Sequence, residues 1–184
     1  MAQSTETTTA TISGSPLDPI DSEGLQNLVE KGKANPSKVV TLSNHTVCEG
    51  RFRHLNYIRD LPAHIIDEPP GLLGDDTAPN PSEAALATLG SCISVGIHAN
   101  AIAQGITLTK LELHIEGDVN VTSVWGVGDK SEKPLGFTDV RIKVDVDGDA
   151  SREDLDALVR HADAYSPVAN TYRNPVNTEI SLAD

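Results

Sequence analysis

The chain has 184 residues, close to the size of one domain and long enough to bury a core without disulfide or metal staples. Its 27 acidic side chains against 14 basic ones give a net charge of -13, which repels phosphate backbones and anionic lipid surfaces, so neither nucleic acid nor a membrane is expected as a partner. Two cysteines cannot build the disulfide framework of a small secreted domain, and Met1 is followed by Ser/Thr-rich sequence without a basic or apolar leader; a cytoplasmic protein is expected.

Residues 1–20 are rich in Ser, Thr and Pro and poor in large apolar groups, so they read as a flexible N-terminal arm ahead of a single domain over residues 21–184. Leu25, Leu28 and Val29 fall at helical spacing between Asp21 and Lys33, and Pro36 closes that short helix. From Lys38 to Asp67 the pattern becomes β-rich, with runs at Val39 to Cys48, Phe52 to Arg59 and Ala63 to Asp67, which predicts an antiparallel meander. An irregular Pro/Gly loop follows. Asn80-Pro81-Ser82-Glu83 then marks a helix start, with Asn at the cap, Pro at the first helical position and Glu at the third.

The helix predicted from Pro81 to about Gln104 is apolar or small on every side, as expected of a helix buried all round. Its Thr88, Ser91, Ser94, His98 and Asn100, and its reliance on Ala and Gly, favour a soluble core helix over a membrane span. Gly90, Ser91, Ser94 and Gly96 keep its girth small enough for another helix to come close. Beyond Gly105, Leu111, Leu113 and Ile115 alternate with polar residues, as do Val140, Ile142, Val144 and Val146 further on, predicting two half-buried strands. Ser151 with Asp154 caps a helix carrying Leu155, Leu158, Val159 and Ala162 on one face; Ser166-Pro167 starts a last short turn or helix, and Val176 to Leu182 reads as a final strand. The fold class is α+β.

Cys92 is the one reactive centre the residues offer, although a small buried hydrophobe would serve equally well at mid-helix. A thiolate there gains little from the helix dipole and needs an arginine against the sulfur. The six histidines form no zinc-type spacing, and His98 lies about 240° round the helix from Cys92, so no metal or other cofactor is expected. Asp145-Val146-Asp147-Gly148-Asp149 resembles a calcium loop until the glycine is counted, which falls at the wrong position. Glu83 is a candidate catalytic carboxylate, but a capping box already explains it, and it stands about 13.5 Å along the axis from Cys92 and roughly 180° round. Within one chain it cannot touch the sulfur.

Taken in order, Asp67-Glu68-Pro69-Pro70, Asn80-Pro81-Ser82-Glu83, Leu89-Gly90-Ser91-Cys92, Gln104-Gly105-Ile106, Ser166-Pro167-Val168-Ala169-Asn170-Thr171 and Asn174-Pro175-Val176 resemble the OsmC/Ohr superfamily over about residues 38 to 182. The resemblance implies an intertwined homodimer with antiparallel sheets wrapped around long central helices. It also implies a peroxidatic cysteine, held as thiolate by an arginine that a glutamate orients, and a second cysteine that resolves the sulfenic acid for reduction by a dithiol. Carried over, Cys92 matches the peroxidatic position; Arg59 is the first choice for the arginine and Arg53 the second. Two positions depart from the pattern: the resolving cysteine is Ser166, which also reads as a helix N-cap, and the glutamate ten residues before the nucleophile is Ser82, with Glu83 beside it. Cys48 is the only other thiol.

These features lead to a one-cysteine thiol peroxidase for organic hydroperoxides, reduced by an external thiol or dithiol. The alternatives are a non-redox small-molecule binding protein on the same scaffold, and a sulfur or acyl transfer at the same thiol.

Overall fold

The computed structural model describes residues 14–127 and 135–183; the first 13 residues of the expected arm, and the Trp125 loop beyond Val127, lie outside the described residues. The elements run α1 (Ser22–Ala34), β1 (His45–Gly50), β2 (Arg53–Tyr57), β3 (His64–Ile66), α2 (Pro81–Ala103), β4 (Leu108–Val119), β5 (Phe137–Gly148), α3 (Arg152–Tyr165) and α4 (Pro167–Arg173). Two short 3-10 turns, Pro70–Leu72 and Val121–Trp125, complete them. Contacts divide the chain into two compact units, Val29–Thr88 and, together, Met1–Leu28 with Leu89–Asp184.

In the unit Val29–Thr88 the meander is present as a three-stranded antiparallel sheet in the order β1-β2-β3, with Cys48 opposite His54 and His54 opposite Ile66. The predicted first strand begins late. Val39, 90% exposed, and the following residues to Asn44 are not paired, since β1 is an edge strand and a chain with strand propensity forms a ladder only where a second edge is offered.

The loop from Asp67 to Asn80 is held by its own polar groups. Asp67 is completely buried; its carboxylate accepts from Glu68 N at 2.8 Å, Thr77 N at 3.1 Å and Thr77 Oγ1 at 2.7 Å. Arg53 donates to the same Thr77 hydroxyl at 2.7 Å and to Glu49 at 2.9 Å. Asn80 and Glu83 close the capping box, Asn80 N donating to Glu83 Oε2 at 2.8 Å and Glu83 N to Asn80 Oδ1 at 2.9 Å.

In the other unit, Leu89, Ile93, Ile97 and Ala101 recur every fourth residue along α2 and enter one core with Leu155, Leu158 and Ala162 of α3, Leu108 of β4 and Val146 of β5. β4 and β5 pair antiparallel from Leu108 opposite Gly148 to Val119 opposite Phe137. Leu17, within the expected arm, donates its N–H to Leu108 O at 2.8 Å and packs against this core. The small residues of α2 serve as predicted at Gly96, where an added Cβ would lie 3.0 Å from the Ala162 Cβ, so α2 and α3 are in near contact there.

Two expectations are corrected. The helix α2 is long and apolar enough to cross a membrane, and it was expected to be buried all round; its inner face is core, but Ala87, Ser91 and Val95 leave an exposed stripe, with Val95 69% exposed. The run Val176 to Leu182 keeps its alternation yet is no strand in the single chain: it joins neither sheet, and Ile180 is 91% exposed.

Candidate active site

Cys92 lies on α2 between the buried Leu89 and Ile93 and is itself half-buried. Ser151 caps α3 by accepting from Asp154 N at 3.1 Å, and α3 ends at Ser166, whose N–H donates to Ala162 O at 2.9 Å. Ser166 then caps α4, its Oγ accepting from Ala169 N at 3.1 Å. The same hydroxyl donates to Cys92 Sγ at 3.1 Å. The spacing explains why: Gly96 is one turn after Cys92 and Ala162 one turn before Ser166, so the close approach of α2 and α3 brings the α3–α4 corner onto the sulfur.

The structure therefore joins two of the four sequence-predicted site residues, Cys92 and Ser166. Glu83 belongs to the other unit and is engaged in its capping box. Arg59 also lies there, exposed at the turn after β2 with φ +54°, as does Arg53, engaged by Glu49 and Thr77. Cys48 stands exposed on β1, and both cysteines are free thiols.

A cleft of about 210 Å³ opens beside this corner, lined by the apolar Leu89 of α2, Phe137, Val140 and Ile142 of β5, and Ala169 and Tyr172 of α4, and by the polar Thr138, Asp139 and Arg173. The Phe137 and Tyr172 rings meet at 5.8 Å, and burial raises the Tyr172 hydroxyl above its ordinary value. Sequence reasoning passed over this cleft; the only signal was a pair of aromatics in a chain that has few.

Among the described residues no three His, Cys, Asp or Glu side chains gather as a metal site. The aspartates at the end of β5 and just beyond it have other uses: Asp145 pairs with Lys110 at 2.5 Å, and Asp149 accepts from Thr107 N at 2.6 Å. Glu68 differs. Its Oε2 is buried with no hydrogen-bond partner among the described residues, and burial, then the charges of Glu83 and Asp67, push its carboxyl up while His54 opposes them.

Asp67 is shifted the other way, to about 2 from 3.8, chiefly by the Thr77 hydroxyl and N–H, with burial opposing. A carboxyl held below its unfolded value stabilises the fold fully above that value and loses the contribution as pH falls through the folded one. The loop should therefore open between about pH 4 and pH 2, with the dependence of one proton; hydrogen exchange of residues 67–80 measures it. Asp67→Asn should flatten that step and leave the loop looser at neutral pH.

The sequence model of the family described as "OsmC-like protein" matches residues 74–181. The chain belongs to the OsmC-like protein family. No curated protein matches it. Solved structures share the fold: an OsmC-like protein from Mycoplasma pneumoniae at TM-score 0.62 and 14% identity, covering 74% of this chain and 89% of that one, and an OsmC-like protein of Vibrio cholerae at 0.60 and 14%, covering 72% and 94%. An organic hydroperoxide resistance protein OsmC of Legionella pneumophila aligns at 0.55 and 22%, covering 74% and 92%. In this OsmC-like chain, the motif around Cys92 and the Ser166-Pro167 motif both fall inside the matched region.

Proposed function

We propose that this OsmC-like protein is a one-cysteine thiol peroxidase that reduces small apolar organic hydroperoxides, a role in oxidative-stress defence. The reading is supported by Cys92 held against Ser166, the position at which the family resemblance calls for the second thiol. The Cys92 thiolate attacks the terminal peroxide oxygen; an S–O bond forms as the O–O bond breaks, and the alkoxide leaves and takes a proton from water. Cys92 becomes a sulfenic acid. With Ser166 unable to resolve it, an external thiol forms a mixed disulfide and releases water, and a second thiol equivalent, or the other arm of a dithiol, frees Cys92 as a new disulfide departs.

The working unit in this proposal is a cytoplasmic homodimer of a single OsmC-like domain spanning residues 21–184. The stripe Ala87, Ser91 and Val95 favours a second copy, since small and apolar side chains at that spacing fit another helix. Arg59 is the guanidinium assigned to the thiolate, because Arg53 is already engaged by Glu49 and Thr77. The cleft, with Leu89, Phe137 and Tyr172 on its apolar side and Asp139 and Arg173 also lining it, favours a second reading, a binding protein for a small ligand without redox turnover.

Adding one equivalent of organic hydroperoxide in the presence of a sulfenic-acid trap separates them. The peroxidase reading expects near-complete labelling of Cys92, thiol-dependent peroxide loss, and at least a hundredfold lower rate in Cys92→Ser. Equal peroxide consumption by wild type and Cys92→Ser removes the peroxidase and leaves the binding protein.

A further inference from the structure

A serine hydroxyl has one proton to give and two lone pairs to receive with, and at Ser166 their use is fixed. The oxygen accepts the Ala169 N–H at 3.1 Å and lies 3.1 Å from Cys92 Sγ, so the remaining O–H points at sulfur. Ser166 is 4% exposed, which keeps water from competing for that proton. Its backbone is pinned on both sides, the N–H donating to Ala162 O and the carbonyl accepting from Asn170 N at 3.0 Å. The near contact of Gly96 with Ala162 holds the opposite wall.

We propose that Ser166 is a catalytic residue: its hydroxyl donates a hydrogen bond to the Cys92 sulfur and stabilises the thiolate. A neutral thiol is a weak acceptor and a thiolate a strong one, so the bond favours the ionised form over the protonated one. This deepens the peroxidase reading, resting on Cys92 as the nucleophile, and gives the serine a task that a resolving thiol cannot keep through the cycle. A cysteine at this position loses its proton and its freedom whenever it closes a disulfide. The hydroxyl is present before attack, beside the sulfenic acid, and again after the external thiol has left.

The test is the pH dependence of Cys92 alkylation by iodoacetamide, read by mass spectrometry in a Cys48→Ser background. Ser166→Gly removes the donor while glycine still serves as an N-cap, and Ser166→Thr keeps both donor and cap. The expected result is a profile for Ser166→Gly displaced upward by about one pH unit, hence roughly tenfold slower alkylation near neutral pH, with Ser166→Thr close to wild type. Ser166→Ala, the poorer cap, removes the same donor with the Cβ retained, and far-ultraviolet circular dichroism of both variants checks that the helices persist. Profiles that coincide for wild type and the donor-less variants overturn the proposal, as does an equal displacement in Ser166→Thr. Alkylation consumes no peroxide, so a displaced profile in a protein that fails the peroxide test leaves this role standing and removes only the peroxidase.

Discussion

Ser166→Cys is expected to convert the external-thiol site into one that closes its own disulfide with Cys92. The oxygen it replaces is 3.1 Å from the sulfur, across 74 residues of sequence. The longer C–S bond carries the introduced thiol further toward its partner, and a disulfide needs the sulfurs at about 2.05 Å, which a small side-chain rotation supplies. The corner itself does not have to move, because Ala162 and Asn170 fix the backbone of residue 166 on either side. In a Cys48→Ser background, after one equivalent of hydroperoxide the variant should lose both remaining thiols, sulfenic-acid trapping should fall about tenfold or more against wild type, and turnover should prefer a dithiol reductant. Closing so long a loop should also raise stability by about 4 kcal/mol in the chain-entropy account, visible as a Tm that drops when reductant is added. An introduced thiol that stays free after Cys92 is oxidised, with a Tm indifferent to reductant, would contradict the geometry of the α3–α4 corner.

How much of this was readable beforehand follows from which interactions are local. The start of α2 was legible because Asn80 and Glu83 satisfy each other across three residues, and the same holds for Ser151 with Asp154. β4 and β5 were legible because alternation survives wherever one face meets the core. The runs Val39 to Asn44 and Val176 to Leu182 carry the same signal but remain unpaired in one chain, since strand propensity records a capacity for pairing and not the presence of a partner edge. The contact of Ser166 with Cys92 has no period; the resemblance placed the two together, and only the close approach at Gly96 explains how. The chain Arg53, Thr77, Asp67 was missed altogether, because side chains that pin an irregular loop leave no pattern in the sequence around them.

That loop holds the largest stability effect expected of a single methyl group. A Cβ at Gly74 would fall far inside van der Waals contact with the Glu68 carbonyl oxygen, so Gly74→Ala must push backbone and not a yielding side-chain tip. The carbonyl is not free to retreat. It accepts Asp76 N at 3.1 Å, while the neighbouring Asp67 N donates to Pro79 O at 3.2 Å and Asp67 Oδ1 holds Glu68 N at 2.8 Å. Gly74 N in turn donates to Pro69 O at 3.1 Å. Moving any one of these loosens the rest, and the buried Asp67 carboxylate then loses donors it cannot replace with water without opening the loop. Gly74→Ala should therefore cost about 3 kcal/mol in urea unfolding, with faster hydrogen exchange concentrated in residues 67–80. Gly71→Ala, three residues away with nothing within 4 Å of its added Cβ, should stay within about 0.5 kcal/mol of wild type. If the two substitutions behave alike, the hold of Asp67 and Glu68 on this loop is weaker than their hydrogen bonds imply, and the acid-sensitive step assigned to Asp67 should vanish with it.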